Sequence, residues 1–294
     1  GKKYVLISLP YEGGPAQLAG LESGDKILEI DGKSVIGNSI RQISTKMRGI
    51  PNSEVSIKVK RIGKEEPIAI KLKRKEIKVN NISFYKMIEN NIAYIVLNTF
   101  SENAGKNVAN ALKILKEENV VDGVILDLRG NSGGLLIEAV NVANVFLEKG
   151  AMIVQTKGRN KDRQHVFRTL NPSVDNKIPV CVMINNSSAS ASEIVAGAIQ
   201  DLDRGVIVGQ RSYGKGLVQN TKDLSFGAKV KLTTARYYIP SGRCIQALQY
   251  KNGQPYQIAD SLRNTFQTIG GRFVYDGGGI KPDVETDNKA FLKI

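Results

Sequence analysis

The sequence Val180-Cys181-Val182-Met183-Ile184, followed by Ser188-Ala189-Ser190-Ala191-Ser192-Glu193, predicts a buried strand, a turn and a helix in direct succession. The first run is continuously apolar, which is typical of a strand that is covered by helices in an α/β sheet. The second run consists of small residues and opens a helix over residues 193–201. Ser190 therefore lies at a strand-turn-helix corner, and the alanines on either side leave its hydroxyl uncrowded.

The same alternation of strands and helices extends from residue 78 to residue 294. Continuous apolar runs separated by amphipathic segments predict a layered α/β domain in which helices cover both faces of the sheet. The predicted strands are residues 93–97, 123–128, 180–184, 229–238 and 272–275, and the predicted helices are residues 103–119, 135–147 and 193–201.

Residues 1–77 have a different pattern and predict a small β-rich module. Residues 4–7, 25–32, 54–61 and 67–74 indicate strands, and residues 16–21 indicate a short helix. Asp31-Gly32 is a turn signal at the end of an alternating run. The chain is therefore expected to contain two domains, a β-rich α+β module and a larger α/β domain.

The composition excludes several classes of function. The net charge of +14 suggests an anionic partner, but aromatic residues make up only 6% of the chain and tryptophan is absent. The densest basic run, residues 71–75, alternates with apolar residues as the wet face of a strand does. No zinc-finger or ribonucleoprotein motif is present, so nucleic-acid binding is not expected.

Metal and cofactor chemistry is not expected either. The single histidine, His165, lies in the polar run 159–165, which indicates a solvated loop. Cys181 and Cys244 lack the spacing of a zinc site or a redox pair, and Cys181 is expected to be a buried, inert thiol. No apolar run reaches the roughly 18 residues of a spanning helix, and no signal peptide is recognised.

Ser190 needs a base if it is a nucleophile, and Lys215 in Gly214-Lys215-Gly216 is the candidate. A lysine can take up the serine proton when apolar surroundings leave it neutral. Gln219 follows at i+4 on the same face and can orient the lysine. Two structural alternatives remain open: Ser190-x-x-Glu193 is also a capping box, and Lys215 also fits an exposed glycine turn.

A glycine-rich segment supplies the remaining requirement, backbone N–H groups for a developing oxyanion. Residues 127–134, Asp-Leu-Arg-Gly-Asn-Ser-Gly-Gly, follow a predicted strand and open a predicted helix. Free N–H groups at such a junction can bind negative charge. The segment lacks Gly-Lys-Ser/Thr, so a nucleotide-binding P-loop is excluded.

Motifs in the first module resemble a PDZ domain. They are Gly14-Pro15-Ala16, Ala19-Gly20-Leu21, Gly24-Asp25 and Ile30-Asp31-Gly32, in the order and spacing of that family. The resemblance implies capture of extended C-terminal peptides by strand addition. The carboxylate loop of such domains precedes the strand equivalent to residues 4–7, so the module is expected to be N-terminally incomplete.

The second domain is similar to the C-terminal processing (tail-specific) peptidases. The matching segments are residues 127–131, 188–193, Asp201, Gly209, 213–216, 218–219, 232–238, 240–243 and 279–283. Three positions depart from the family pattern: Gln210 and Ser212 stand where Glu and Thr are common, and Ser132 stands where Pro is common.

This resemblance implies a serine endopeptidase that uses no cofactor or metal. It assigns Ser190 as nucleophile, Lys215 as base, Gln219 as orienting residue, and the N–H groups of Gly134 and Ala191 as the oxyanion hole. It also implies protein substrates with apolar C-termini, an extracytoplasmic bacterial location, an adaptor lipoprotein and a homodimer. The alternative is a PDZ-type peptide-binding scaffold whose peptidase domain is inactive or gated.

Overall fold

The computed structural model describes residues 3–11, 13–76, 80–159 and 164–287. The chain forms two compact units, Gly1–Val79 and Asn80–Ile294. The boundary predicted from the sequence lies two residues earlier, after residue 77. None of the helices in the described ranges combines the length and the apolarity needed to cross a bilayer.

The first unit is an antiparallel sheet in the order β1-β2-β4-β5, with β3 paired to β2. Helix α2 begins with a capping box of Ser39 and Gln42 and buries Ile43. The turn predicted at Asp31-Gly32 is present, and both residues have positive φ. The elements are β1 (Val5–Leu6), α1 (Pro15–Leu18), β2 (Lys26–Ile30), β3 (Lys33–Ser34), α2 (Ile40–Met47), β4 (Glu54–Lys60) and β5 (Ile68–Lys73).

The first elements of the second unit include all three α-helices of its described part and most strands of its main sheet, together with two strands of a second sheet. They are β6 (Ile82–Ile88), β7 (Ile92–Leu97), α3 (Ala104–Glu118), β8 (Gly123–Asp127), α4 (Leu136–Asn144), β9 (Met152–Lys157), β10 (His165–Arg168), β11 (Val180–Ile184), α5 (Ala191–Asp201) and β12 (Val206–Gly209). The remaining elements are β13 (Leu217–Asp223), β14 (Lys229–Tyr238), β15 (Leu248–Lys251), β16 (Gln254–Gln257), β17 (Thr265–Gln267), β18 (Phe273–Tyr275) and β19 (Val284–Glu285).

The main sheet has the order β19-β12-β11-β8-β7-β6. Strands β7, β8, β11, β12 and β19 are parallel, and β6 is an antiparallel edge strand. A second, antiparallel sheet has the order β10-β9-β14-β13. Helix α5 contacts β12 of the main sheet and β9 of the second sheet, and every residue of this helix is buried.

The prediction that helices cover both faces of the main sheet is wrong. The chain passes through β7, β8, β11 and β12 in spatial order, and the connecting helices contact one another in sequence, α3 with α4 and α4 with α5, as helices on one face of a sheet do. Side chains on the other face, such as Tyr94, Ile125 and Met183, are only partly buried.

Two further predictions change for related reasons. Cys181 points toward the uncovered face and is partly rather than fully buried. His165 lies in strand β10 rather than in a loop, paired with Thr156, whereas residues 160–163 of the same polar run lie outside the described residues. Both differences have one reason: the burial of Cys181 and the strand pairing of His165 depend on neighbouring segments, which local composition does not specify.

Candidate active site

Three buried serines, Ser188, Ser190 and Ser192, lie between the end of β11 and the first turn of α5, and their hydroxyl groups have different partners. The hydroxyl of Ser188 donates to the carbonyl of Leu128 at 2.8 Å. The hydroxyl of Ser192 donates to the carbonyl of Asn131, also at 2.8 Å. The Ser190 hydroxyl instead lies 3.3 Å from the phenol oxygen of Tyr237. Ser190 is therefore the buried serine of this segment whose hydroxyl is not committed to a backbone carbonyl, while the exposed Ser187 hydroxyl contacts the Asn186 side chain.

The backbone of Ser190 adopts an unusual conformation, with φ of 57° and ψ of −111°. A non-glycine residue in such a region costs about 1–3 kcal/mol, and this strain is commonly found at functional sites. The capping interaction predicted from Ser190-x-x-Glu193 is also present, because the Ser190 N–H donates to Glu193 Oε2 at 2.8 Å. The capping role and the nucleophile role are thus compatible.

Asn131 connects the glycine-rich segment to the serine turn. Its side chain is fully buried; Nδ2 donates to the Leu97 carbonyl at 2.7 Å and Oδ1 accepts the Gly133 N–H at 2.9 Å. Its backbone carbonyl accepts the Ala189 N–H at 3.0 Å as well as the Ser192 hydroxyl. These bonds hold the two segments in one arrangement.

The loop also needs glycine at positions 133 and 134. Gly133 has φ of +101°, and a Cβ atom there would lie 2.9 Å from Ser190 Cβ and 3.0 Å from the Ala191 nitrogen. Gly134 has φ of +154°, and a Cβ atom there would lie 2.4 Å from the Phe100 carbonyl oxygen. Within the described ranges, the N–H groups of Gly134 and Ala191 have no acceptor, so both are available beside Ser190 to bind an oxyanion.

Asp127 fixes the start of this loop. Its carboxylate accepts hydrogen bonds from the Tyr94 hydroxyl at 2.6 Å, the Arg129 N–H at 2.9 Å and Arg129 Nη2 at 2.6 Å. Burial raises the pKa of Asp127, but these donors outweigh it and the net pKa is lowered. Asp127 is therefore a charged anchor at the carboxyl end of β8.

Glu193 joins the serine turn to the lysine loop. Its side chain is completely buried. Oε2 accepts the Ser190 N–H and the Lys215 N–H, both at 2.8 Å, and Oε1 accepts the Gly214 N–H and the Ser212 hydroxyl, both at 2.6 Å. Burial raises the pKa of Glu193, and the four donors oppose that rise. One carboxyl oxygen thus fixes the backbones of the proposed nucleophile and the proposed base.

The two glycines around Lys215 are required by close packing. A Cβ atom on Gly214 would lie 2.3 Å from Ala247 Cβ, and one on Gly216 would lie 2.6 Å from the Gln246 nitrogen. The Lys215 side chain is partly buried, and its Nζ makes no hydrogen bond or ion pair with any described residue. The loop is therefore tightly held while the amino group remains available.

Gln219 lies on the exposed part of β13. The register of β13 and β14 shifts between Val218 and Gln219, so the regular alternation assumed between positions 215 and 219 is interrupted by a bulge. The Gln219 side chain is exposed and makes no hydrogen bond within the described part of the chain. The structure brings Ser190, Lys215, Gly134 and Ala191 to one region, but it shows no contact between Gln219 and Lys215.

A cleft of about 650 Å³ opens beside this region. It is lined by Ser132, Asn186, Ser187, Ala189, Tyr213 and Lys215. Ser132, one of the departures from the family pattern, contributes to its wall. No cluster of histidine, cysteine, aspartate or glutamate suitable for a metal occurs among the described residues. The cleft is therefore bordered by both the serine turn and the lysine loop.

Two residues that contact the candidate site, Tyr237 and Ser212, were not assigned a role from the sequence. Tyr237 contacts the Ser190 hydroxyl, and the alternation of Ala235 and Tyr237 as buried residues of β14 is the signal that could have placed it in the core. Ser212 donates to Glu193 and accepts the Ile280 N–H at 2.6 Å. A serine therefore makes these contacts at a position where the resembled family commonly has threonine.

The chain was compared with known families and structures. Residues 91–252 match the model of peptidase family S41, and residues 6–61 match a PDZ domain. A carboxy-terminal-processing protease of Bartonella bacilliformis is 39% identical over 247 residues, which are 83% of this chain and 56% of that protein. The carboxy-terminal processing protease CtpB of Bacillus subtilis is 35% identical over 272 residues, 88% of this chain and 56% of that protein.

A solved structure of a photosystem II D1 C-terminal processing protease is similar, with a TM-score of 0.59 and 29% identity over 97% of this chain and 68% of that one. The chain spans little more than half the length of the curated relatives it matches. The S41 model covers more than half of the chain, including Ser190, Lys215 and the glycine loop. This chain therefore belongs to peptidase family S41, and a PDZ domain precedes its peptidase domain.

Proposed function

We propose that this chain forms the PDZ and catalytic domains of a serine endopeptidase that cleaves proteins upstream of apolar C-terminal tails. The observation that carries the proposal is the environment of Ser190. Its hydroxyl is not bound by a backbone carbonyl, two N–H groups lie free beside it, and Glu193 ties its backbone to that of Lys215.

Acylation uses Lys215 in its neutral form. The Ser190 oxygen attacks the substrate carbonyl, its proton passes to Lys215 Nζ, and the carbonyl electron pair moves onto the oxygen. The N–H groups of Gly134 and Ala191 bind that oxyanion. When the tetrahedral intermediate collapses, the C–N bond breaks and Lys215 returns the proton to the leaving amine.

Deacylation repeats these steps with water. Lys215 takes a proton from the water that attacks the acyl-enzyme, the C–O bond to Ser190 breaks, and the proton returns to the serine oxygen. Gln219 has the proposed role of orienting Lys215 during these transfers. In the structure the Gln219 side chain is exposed, so this role requires the lysine and Gln219 to approach one another when substrate is bound.

The PDZ domain has the proposed role of capturing the substrate tail. PDZ domains bind extended C-terminal peptides at a sheet edge, and the relatives are named carboxy-terminal-processing proteases. We also propose that tail binding promotes seating of Lys215. If the isolated fragment of residues 80–294 cleaved substrates with the same tail dependence as the whole chain, this coupling would be excluded.

The catalytic proposal is tested on an unfolded protein substrate with an apolar C-terminus, compared with the same substrate bearing a charged C-terminus. Cleavage of the apolar-tailed substrate is expected for the wild type and is expected to disappear in Ser190→Ala and in Lys215→Ala. Ser83→Ala and Lys113→Ala, which alter exposed residues of β6 and α3, are matched controls that should retain activity. Equal cleavage by all five proteins would contradict the proposed pair and favour a binding scaffold.

The setting of the protein is also a proposal. The family resemblance suggests an extracytoplasmic bacterial location, an adaptor lipoprotein and a homodimer. Fractionation of cells that produce the full-length protein, followed by crosslinking, measures all three. Recovery of the protein only in the cytoplasmic fraction would exclude the extracytoplasmic location.

A further inference from the structure

Tyr237 is a buried tyrosine whose hydroxyl contacts the proposed nucleophile directly. Its side chain is 7% exposed, and its oxygen lies 3.3 Å from Ser190 Oγ. Among the described residues, this is the only hydrogen bond of the Tyr237 hydroxyl, and a buried phenol normally requires a partner. Either hydroxyl can be the donor at this distance, so the pair can be arranged with the phenol donating to the serine oxygen.

The position of Tyr237 is fixed by the same framework that fixes the lysine loop. Its backbone N–H donates to the Gly216 carbonyl at 2.8 Å, immediately after Lys215. Lys215 and Ser190 are in turn bound by the same Glu193 oxygen. Ser190, Lys215 and Tyr237 therefore come from three segments whose backbones are joined by short hydrogen bonds.

The protonation state of the phenol suits a donor. Burial raises the pKa of Tyr237 and the charge of nearby Glu193 raises it further, while the Ser190 hydroxyl acts in the opposite direction. The net rise keeps the phenol protonated, and so able to donate, up to pH values above the pKa of a free tyrosine. Lys215 is on the neighbouring loop, and the proposed function has it accept the proton of Ser190 while the phenol stays protonated.

We propose that Tyr237 is a third catalytic residue, donating its hydroxyl hydrogen bond to Ser190 Oγ throughout the reaction. This inference rests on the proposed peptidase function and extends it. As the proton of Ser190 passes to Lys215, the serine oxygen gains negative charge and the phenol stabilises it. In deacylation the C–Oγ bond breaks, its electron pair goes to the serine oxygen, and the same donor stabilises that leaving group. Tyr237 keeps its proton in every step.

The alternative interpretation is structural: two buried hydroxyls satisfy each other and nothing more. The two interpretations differ in what removal of the phenol oxygen does. A structural pair affects folding, whereas a donor to a charged oxygen affects kcat. A hydrogen bond to a charged group corresponds to roughly a 10- to 100-fold change in rate.

The test compares wild type, Tyr237→Phe, Tyr238→Phe and Ser190→Ala on the apolar-tailed substrate. Tyr238 is the matched control, since it is the next residue of β14, points to the opposite face and stacks with Lys157. Tyr237→Phe is expected to lower kcat roughly 10- to 100-fold with little change in KM, the size of one hydrogen bond to a charged group. Tyr238→Phe is expected to match the wild type.

Labelling with a fluorophosphonate distinguishes a failure of the proposed Tyr237 role from a failure of the proposed peptidase function. A wild type that cleaves substrate and is labelled at Ser190, together with a fully active Tyr237→Phe variant, overturns the role of Tyr237 and leaves the proposed function intact. A wild type that neither cleaves nor is labelled overturns the proposed function, and the role of Tyr237 with it.

A second measurement does not depend on removing the hydroxyl. Replacement of Tyr237 by 3-fluorotyrosine preserves the shape of the side chain and makes the phenol more acidic. The alkaline limb of the kcat profile is expected to move to lower pH, because the donor is lost when the phenol ionises. An unchanged alkaline limb would contradict the proposal even if Tyr237→Phe failed to fold.

Discussion

The serine turn and the strand that follows Lys215 differ in how completely their groups are held. Around Ser190, helix α5 is buried along its whole length, and Ser188, Ser192 and Asn131 are all bonded to other segments. Beyond Lys215, residues 219–223 of β13 are exposed, and the side chain of Gln219 makes no hydrogen bond within the described ranges. The serine turn is fixed by side-chain and backbone hydrogen bonds, whereas Lys215 is fixed only through its backbone N–H.

This difference indicates where regulation can act. A buried, densely bonded turn has essentially one low-energy arrangement, so substrate binding is not expected to reorganise it. The exposed side chain of Gln219 and an amino group that has no partner among the described residues can change rotamer at little energetic cost. We expect the resting and active states to differ mainly at Lys215 and Gln219.

Outside the catalytic residues, the largest expected effect on activity is at Gly133, which packs against the buried serine turn. In Gly133→Ala the added methyl group would lie 2.9 Å from Ser190 Cβ, and the alanine would have to adopt a φ of +101°. We expect kcat/KM to fall more than about 100-fold, since displacement of a nucleophile by about 1 Å can cost that much. Steady-state kinetics and thermal unfolding measure the change.

Gly130→Ala is the matched control for this experiment. Gly130 also has positive φ, +75°, but a Cβ atom there meets nothing within 4 Å. It should lose less than about 10-fold in activity, because only backbone strain of about 1 kcal/mol is added. Similar losses in both variants would show that the close approach of Gly133 to the serine turn is unimportant.

A substitution at Asp175 measures how much a charged side chain stabilises the start of β11, the strand that leads to the serine turn. Its Oδ1 accepts the N–H groups of Lys177 at 2.9 Å and Ile178 at 2.8 Å, just before β11, and Oδ2 pairs with Lys116. Burial raises the pKa of Asp175, but Lys116 and the two N–H groups lower it to about 2 overall. Asp175→Asn should reduce the free energy of unfolding at pH 7 by about 2 kcal/mol.

The pH dependence follows from the sign of this shift. A carboxyl group with a lowered pKa stabilises the folded state above its unfolded pKa, so the contribution of Asp175 is lost as the pH falls from about 4 to about 2. Urea unfolding at pH 7 and at pH 3 should show the difference between wild type and variant shrinking. Asp223→Asn, at an exposed ion pair, is the control; a pH-independent difference for Asp175→Asn would contradict the assignment.

The smallest expected effect is at Gln219, whose side chain is exposed on β13. Gln219→Ala should lower kcat about fivefold, the value of one ordinary hydrogen bond, and leave the melting temperature unchanged because the side chain is exposed. Thr221→Ala changes the next residue on the same face of β13 and should have no effect. An unaltered kcat in Gln219→Ala would remove Gln219 from the catalytic group.

Local features of the sequence predicted four of the five α-helices and nine of the nineteen strands in the described part of the chain. The strand at residues 180–184 and the long strand at residues 229–238 have the predicted bounds, and the helices differ only at their ends. Helix α2 was not predicted because it is short and mostly polar; its apolar residues Ile40, Ile43 and Met47 have helical spacing but span only two turns. The main sheet was correctly predicted as part of an α/β domain, but the position of its helices depends on strand order, which apolar runs do not encode.

The candidate site divides in the same way. The sequence by itself determined the strand-turn-helix corner at Ser190, the glycines of the two loops and the absence of a plausible histidine base, because these depend on residue types within a few positions. Only the tertiary structure decided which serine keeps an available hydroxyl, that Glu193 bonds both the serine turn and the lysine loop, and that Tyr237 reaches Ser190 from 47 positions away. Such contacts are made by the packing of separate strands, and a local pattern contains no information about which strands become neighbours.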